Sequence, residues 1–63
     1  MELKEKLQYV KENYGITYSF IARKCGTTYN RLYRYTLDIN NENYRNLDIS
    51  VLEKLDNYLK QYI

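Results

Sequence analysis

Ile16-Thr17-Tyr18-Ser19-Phe20-Ile21-Ala22-Arg23-Lys24-Cys25-Gly26-Thr27-Thr28-Tyr29-Asn30-Arg31-Leu32-Tyr33-Arg34-Tyr35-Thr36 is the stretch that decides the fold. It reads as two short helices joined at a single glycine. Thr17 is of the type that caps a helix, and the helix it opens runs from Tyr18 to about Cys25. Ile21 and Cys25 share a face there, with Ala22 beside them. Gly26 tolerates a positive φ and ends that helix at once. Thr27 or Thr28 caps the next helix, which runs to about Thr36 with Leu32 as its apolar centre and Tyr29 and Tyr35 in support. Helices joined this tightly cross closely, so one facing position must be small, and Ala22 supplies it.

Working outward, residues 2–13 form a helix ahead of this pair. Leu3, Leu7, Val10 and Tyr14 recur at the helical period, charged residues fill the other faces, and Gly15 stands where a left-handed cap belongs. Residues 37–48 are the least regular part. Asp38, Asn40, Asn41, Asn43 and Asn46 favour turns over helix, while Leu37, Ile39, Tyr44 and Leu47 are available to pack the segment down, with room for one short helical turn. Ser50-Val51-Leu52-Glu53 matches a capping box and opens a last helix. Its apolar stripe is Val51, Leu52, Leu55, Leu59 and Tyr62. The expected architecture is all-α, a single domain over 1–63 with four helices and room for a short fifth.

Composition narrows the class of function. Sixty-three residues with one cysteine and no histidine allow neither an intrachain disulfide nor a zinc site of the usual Cys/His type. The expectation is no cofactor and no metal. Cys25 reads as a small apolar core residue, and a lone thiol fits a reducing cytoplasm. No apolar run approaches a membrane span, and the N-terminus lacks the apolar stretch of a signal peptide. Without histidine, a reactive-cysteine setting or a glycine-rich phosphate loop, catalysis is not expected. No small-molecule pocket is inferred.

Charge is unevenly placed. The chain carries a net charge of +2 and nine tyrosines. From Asn13 to Leu37 there is no acidic residue, yet Arg23, Lys24, Arg31 and Arg34 lie there among Tyr14, Tyr18, Tyr29, Tyr33 and Tyr35. A basic, aromatic-rich middle between acid-containing ends predicts one surface suited to a polyanion.

The spacing Ile21-Ala22-x3-Gly26-x5-Leu32-x2-Tyr35 resembles the helix-turn-helix of the lambda-repressor and Cro-like (XRE) family of DNA-binding domains. Residues 16–26 look like that family's opening motif helix, and Asp48-Ile49-Ser50-Val51-Leu52-Glu53-Lys54-Leu55 looks like its later capped helix. Thr27 stands where the family usually has an apolar residue, and Tyr18 where a glutamine often sits. The resemblance implies a sequence-specific double-stranded DNA-binding protein that acts as a dimeric transcriptional repressor or autoregulator.

At about 100° per residue, Leu32 turned inward leaves Asn30 and Arg34 on one outer ridge. Asn pairs bidentately with adenine and Arg with guanine, so these two are the expected base readers, with Tyr33 and Tyr29 beside them. Thr17, Tyr18, Thr28, Arg31 and Arg45 are the expected phosphate contacts. One such helix spans few base pairs, and the final helix offers a homodimer surface through Leu52, Leu55, Tyr58, Leu59, Tyr62 and Ile63. The alternative is a protein-binding module, an antitoxin or phage-type inhibitor, that keeps the helix-turn-helix shape, since Tyr and Arg also anchor protein interfaces.

Overall fold

Two corners of the chain are turned by its two glycines. Gly15 (φ 67°) and Gly26 (φ 74°) are the only positive-φ residues among those described. The computed structural model describes residues 2–63. Four helices follow in order: α1 (Leu3–Tyr14), α2 (Tyr18–Lys24), α3 (Tyr29–Thr36) and α4 (Ile49–Leu59), with no strand among the described residues. The all-α reading holds.

Each corner satisfies the carbonyls that a helix end leaves free. At the first, the Gly15 amide donates to the carbonyl of Lys11 at 3.1 Å. At the second, the Gly26 amide donates to Arg23 at 3.3 Å and the Thr27 amide to Ala22 at 2.9 Å. That crossed pair of bonds is the Schellman arrangement, which requires a left-handed residue between its two donors' helix and the outgoing chain. The outgoing chain then meets a cap at once. Thr28 Oγ1 accepts from the Arg31 amide at 3.2 Å, just as Thr17 Oγ1 accepts from Phe20 at 3.2 Å ahead of α2.

Helices this short do not hold in isolation; packing holds them. α2 packs on α3, and α1 on α4. Every helix sends two residues into one core: Leu7 and Val10, Ile21 and Ala22, Leu32 and Tyr35, Leu55 and Leu59, joined by Cys25 and Leu47. Ala22 is buried where α2 must admit its neighbours. Lys4 fastens the irregular 37–48 segment to α1. Its Nζ donates to the Leu37 carbonyl at 3.2 Å and lies 4.6 Å from the centre of the Tyr44 ring. Lys6 and Asp56, 3.5 Å apart, tie α1 to α4, a half-exposed pair worth no more than about 1 kcal/mol.

The 37–48 segment forms turns built on Asp38 and Asn41 side chains, which accept from the Asn40 and Asn43 amides, so the expected four helices are present without a short fifth among the described residues. Three expectations need correction. Ser50 is not a cap. α4 begins two residues earlier, with Asp48 as its extended N-cap residue and no side-chain bond to the free amides. Leu47 is buried just ahead of it, so the chain enters the helix as soon as it leaves the core, and Ser50 falls inside the first turn. Tyr14 is exposed, because the end of α1 overhangs the core and its ring packs against Tyr62 instead, 4.9 Å between centres. Leu55 and Leu59 are fully buried within the chain and leave the set of residues free to meet a second copy.

Candidate functional site

α3 is the element that carries the predicted site, and its two ends fix how it sits. Thr28 caps its start, and burial of Leu32 and Tyr35 sets its rotation. Tyr29, Asn30, Arg31 and Tyr33 are then exposed and Arg34 half-buried. The outer surface divides into two ridges. One carries Tyr29 and Tyr33, whose rings lie parallel to within 8° with centres 6.1 Å apart. The other carries Asn30 and Arg34, with Arg31 on its flank.

The second ridge borders an open cleft of about 460 Å³ between α3 and the start of α4. Thr27, Asn30, Arg31 and Arg34 form one wall. Arg45, Asn46, Leu47, Asp48 and Val51 form the other. Arg31, Arg34 and Arg45 thus share the cleft with one carboxylate, Asp48, an excess of two positive charges along its walls. No carboxylate among the described residues forms an ion pair with any of the three arginines. Arg45 is held by its own loop. Its Nη1 donates to the Tyr44 carbonyl at 2.7 Å and to the Glu42 carbonyl at 3.2 Å, which leaves its remaining donors free for an anion.

The sequence-predicted residues do not all meet. Asn30, Arg31, Arg34 and Arg45 come together in the cleft, with Tyr29 and Tyr33 on the adjoining ridge. Thr28 lies at the head of α3; its oxygen accepts the Arg31 amide, and its hydroxyl proton remains free to donate. Thr17 lies elsewhere, on a groove of about 380 Å³ lined by Gly15, Ile16, Phe20 and Tyr62. Tyr18 is half-buried against the core and lies beneath Lys11, whose Nζ is 4.5 Å from the ring centre. Burial raises its phenol above the ordinary value, with Glu12 and Tyr29 adding to the effect. Tyr18 is therefore a packing residue whose hydroxyl end alone could reach outward.

Thr27, Asn46 and Asp48 belong to the cleft without having been singled out as site residues. Thr27 had a signal: it interrupts an apolar position directly after the turn glycine. Asn46 and Asp48 had none beyond their closeness to Arg45. Among residues considered for a second copy, Leu52, Tyr58 and Tyr62 are half-buried and Ile63 is exposed. Tyr62 is held by Tyr58, the two hydroxyls 3.1 Å apart, and by Tyr14, whose hydroxyl donates to the Tyr62 carbonyl at 3.2 Å. Among the described residues, no group is suited to a metal ion, and no helix is long and apolar enough to cross a membrane. Comparison of the chain with protein families, with curated proteins and with solved structures yields no match.

Proposed function

We propose that the chain binds double-stranded DNA through α3, as a non-enzymatic, cytoplasmic transcriptional repressor or autoregulator that acts as a homodimer. The observation that carries this is the convergence of Arg31, Arg34 and Arg45 with Asn30 in one open cleft bordering a capped helix. Three unpaired guanidiniums in so small a space repel one another, and a phosphate strand relieves that repulsion while releasing its own counterions. Asn30 and Arg34 read base edges, with Tyr33 and Tyr29 beside them. Arg31, Arg45, Thr28 and, at the edge of the footprint, Thr17 and the Tyr18 hydroxyl hold phosphates. The order of helix, tight glycine turn, exposed helix and later helix supports the resemblance to the lambda-repressor and Cro-like family. Of the surface considered for a dimer, Leu52, Tyr58, Tyr62 and Ile63 remain.

Selection of bound sites from a random duplex library tests this reading. A two-fold symmetric consensus is expected, with half-sites about one helical turn apart. Absence of salt-dependent duplex binding would refute it.

A second reading has its own observation. Phe20 and Tyr62 line the groove at Gly15–Thr17, Tyr14 packs on Tyr62, and Tyr14 and Phe20 are both exposed. That aromatic surface suits a protein partner, as in an antitoxin or phage-type inhibitor. Such a module shows no steep salt dependence toward random DNA.

A further inference from the structure

The cleft accounts for the cationic side of α3, while Tyr29 and Tyr33, on the adjoining ridge, still lack a named group on the duplex to meet. Tyr29 and Tyr33 retain 51% and 45% of their surface. Neither phenol has a hydrogen-bond partner among the described residues, and neither ring is packed into the core cluster. The rings lie parallel within 8° at 6.1 Å between centres. Four residues apart on one helix, they share a ridge and form an exposed aromatic pair on it. A tyrosine has only two χ angles to order, so such a pair loses little conformational freedom on binding.

The floor of the major groove offers such a pair one methyl group, at C5 of thymine, among an array of hydrogen-bond donors and acceptors. Asn30 follows Tyr29 directly, so the pair lies beside an amide with the donor and acceptor pattern that adenine needs. The complement of adenine carries the methyl. Resting on the duplex-DNA reading above, we infer that the Tyr29–Tyr33 pair reads thymine methyl groups, so that the preferred half-site contains thymine opposite or next to the adenine that Asn30 contacts.

The test replaces each thymine of a selected duplex in turn with deoxyuridine, which removes the methyl and nothing else. Loss of a contacted methyl lowers affinity about fourfold, the effect of burying one methyl-sized group. Tyr29→Phe and Tyr33→Phe keep the rings and keep this dependence. Tyr33→Ala, a change at an exposed position, binds the thymine and uracil duplexes equally. Equal binding of both duplexes by the unaltered protein, with a steep salt dependence retained, overturns methyl reading and leaves duplex binding intact. A selected pool with no consensus, or a half-site without thymine on either strand, does the same. Loss of salt-dependent duplex binding altogether overturns both.

Discussion

The Thr27 amide donates to the Ala22 carbonyl at 2.9 Å, and this bond closes the turn between α2 and α3. It forms because Gly26 between them adopts φ 74°. A Cβ placed on Gly26 meets only Lys54 Nζ, at 3.6 Å, the end of a flexible side chain. The cost of a side chain there is therefore backbone strain rather than collision. Gly26→Ala is expected to lose about 1–2 kcal/mol, a fall in Tm of about 4–8 °C per kcal/mol in a domain this small, without unfolding. Gly15 has a similar φ, and nothing lies within 4 Å of its would-be Cβ, so Gly15→Ala should lose about as much. Thermal unfolding of both variants checks this. A loss at Gly26 far exceeding that at Gly15 would mean that the turn carries some constraint besides φ.

Leu55 sits in the core and not on a dimer face. Leu55→Ala should cost about 2–5 kcal/mol, a large share of the few kcal/mol that hold a chain of this size. Because the lost contacts lie within one chain, the cost should not change with protein concentration. Urea titrations over a hundredfold range of concentration give the answer. A loss confined to high concentration would return Leu55 to an interface between copies.

The pattern of elements was legible where a short-range rule operates. The 3.6-residue spacing of Leu3, Leu7 and Val10 gave α1. Thr17 and Gly26, with Thr27 or Thr28, bounded α2 and α3 because caps and positive-φ corners depend on a few neighbouring atoms; the structure settles the choice on Thr28. Rules of that kind fail when tertiary contact decides. Ser50 and Glu53 match a capping box, but burial of Leu47 starts α4 earlier. Tyr14 keeps the helical period yet lies beyond the core's edge. Which leucines of α4 face inward is not written in the stripe alone, since a stripe serves a core or a partner equally well. The cleft shows the same limit. Arg31 and Arg34 are neighbours by helix geometry, whereas Arg45 reaches them across a segment whose path depends on Lys4, Leu37, Tyr44 and Leu47.

Alkaline pH should loosen the fold through its tyrosines. Burial, and then the hydrogen bond to Tyr62, push the Tyr58 phenol up to about 12. Burial also raises Tyr18 and Tyr35. An unfolded tyrosine releases its proton near pH 10. From about pH 10 to about 12 the unfolded chain has given up a proton that the folded chain keeps. Stability is therefore full below pH 10 and falls across that window. Tyr58→Phe removes the group and should lessen the fall. Urea midpoints measured against pH for both proteins decide it; parallel curves would mean that Tyr58 does not contribute.

Arg31 and Arg34 share one cleft but face it differently, and their variants should separate. Arg31 is exposed on the flank, whereas Arg34 is half-buried on the ridge that holds Asn30. A flanking charge neutralises phosphate whatever the sequence. Arg31→Ala should weaken all duplexes alike and reduce the slope of log affinity against log salt by about 1. Arg34→Ala should instead relax preference at one base pair, costing about 1–3 kcal/mol on the cognate site and little on others. Binding of matched and singly mismatched duplexes at several salt concentrations distinguishes the two. If Arg34→Ala lowers every affinity equally and flattens the salt slope, the guanidinium is gripping phosphate with Arg31 and Arg45. Base recognition then rests on Asn30 and the tyrosine ridge alone, because no other side chain on the outer surface of α3 is left to supply it.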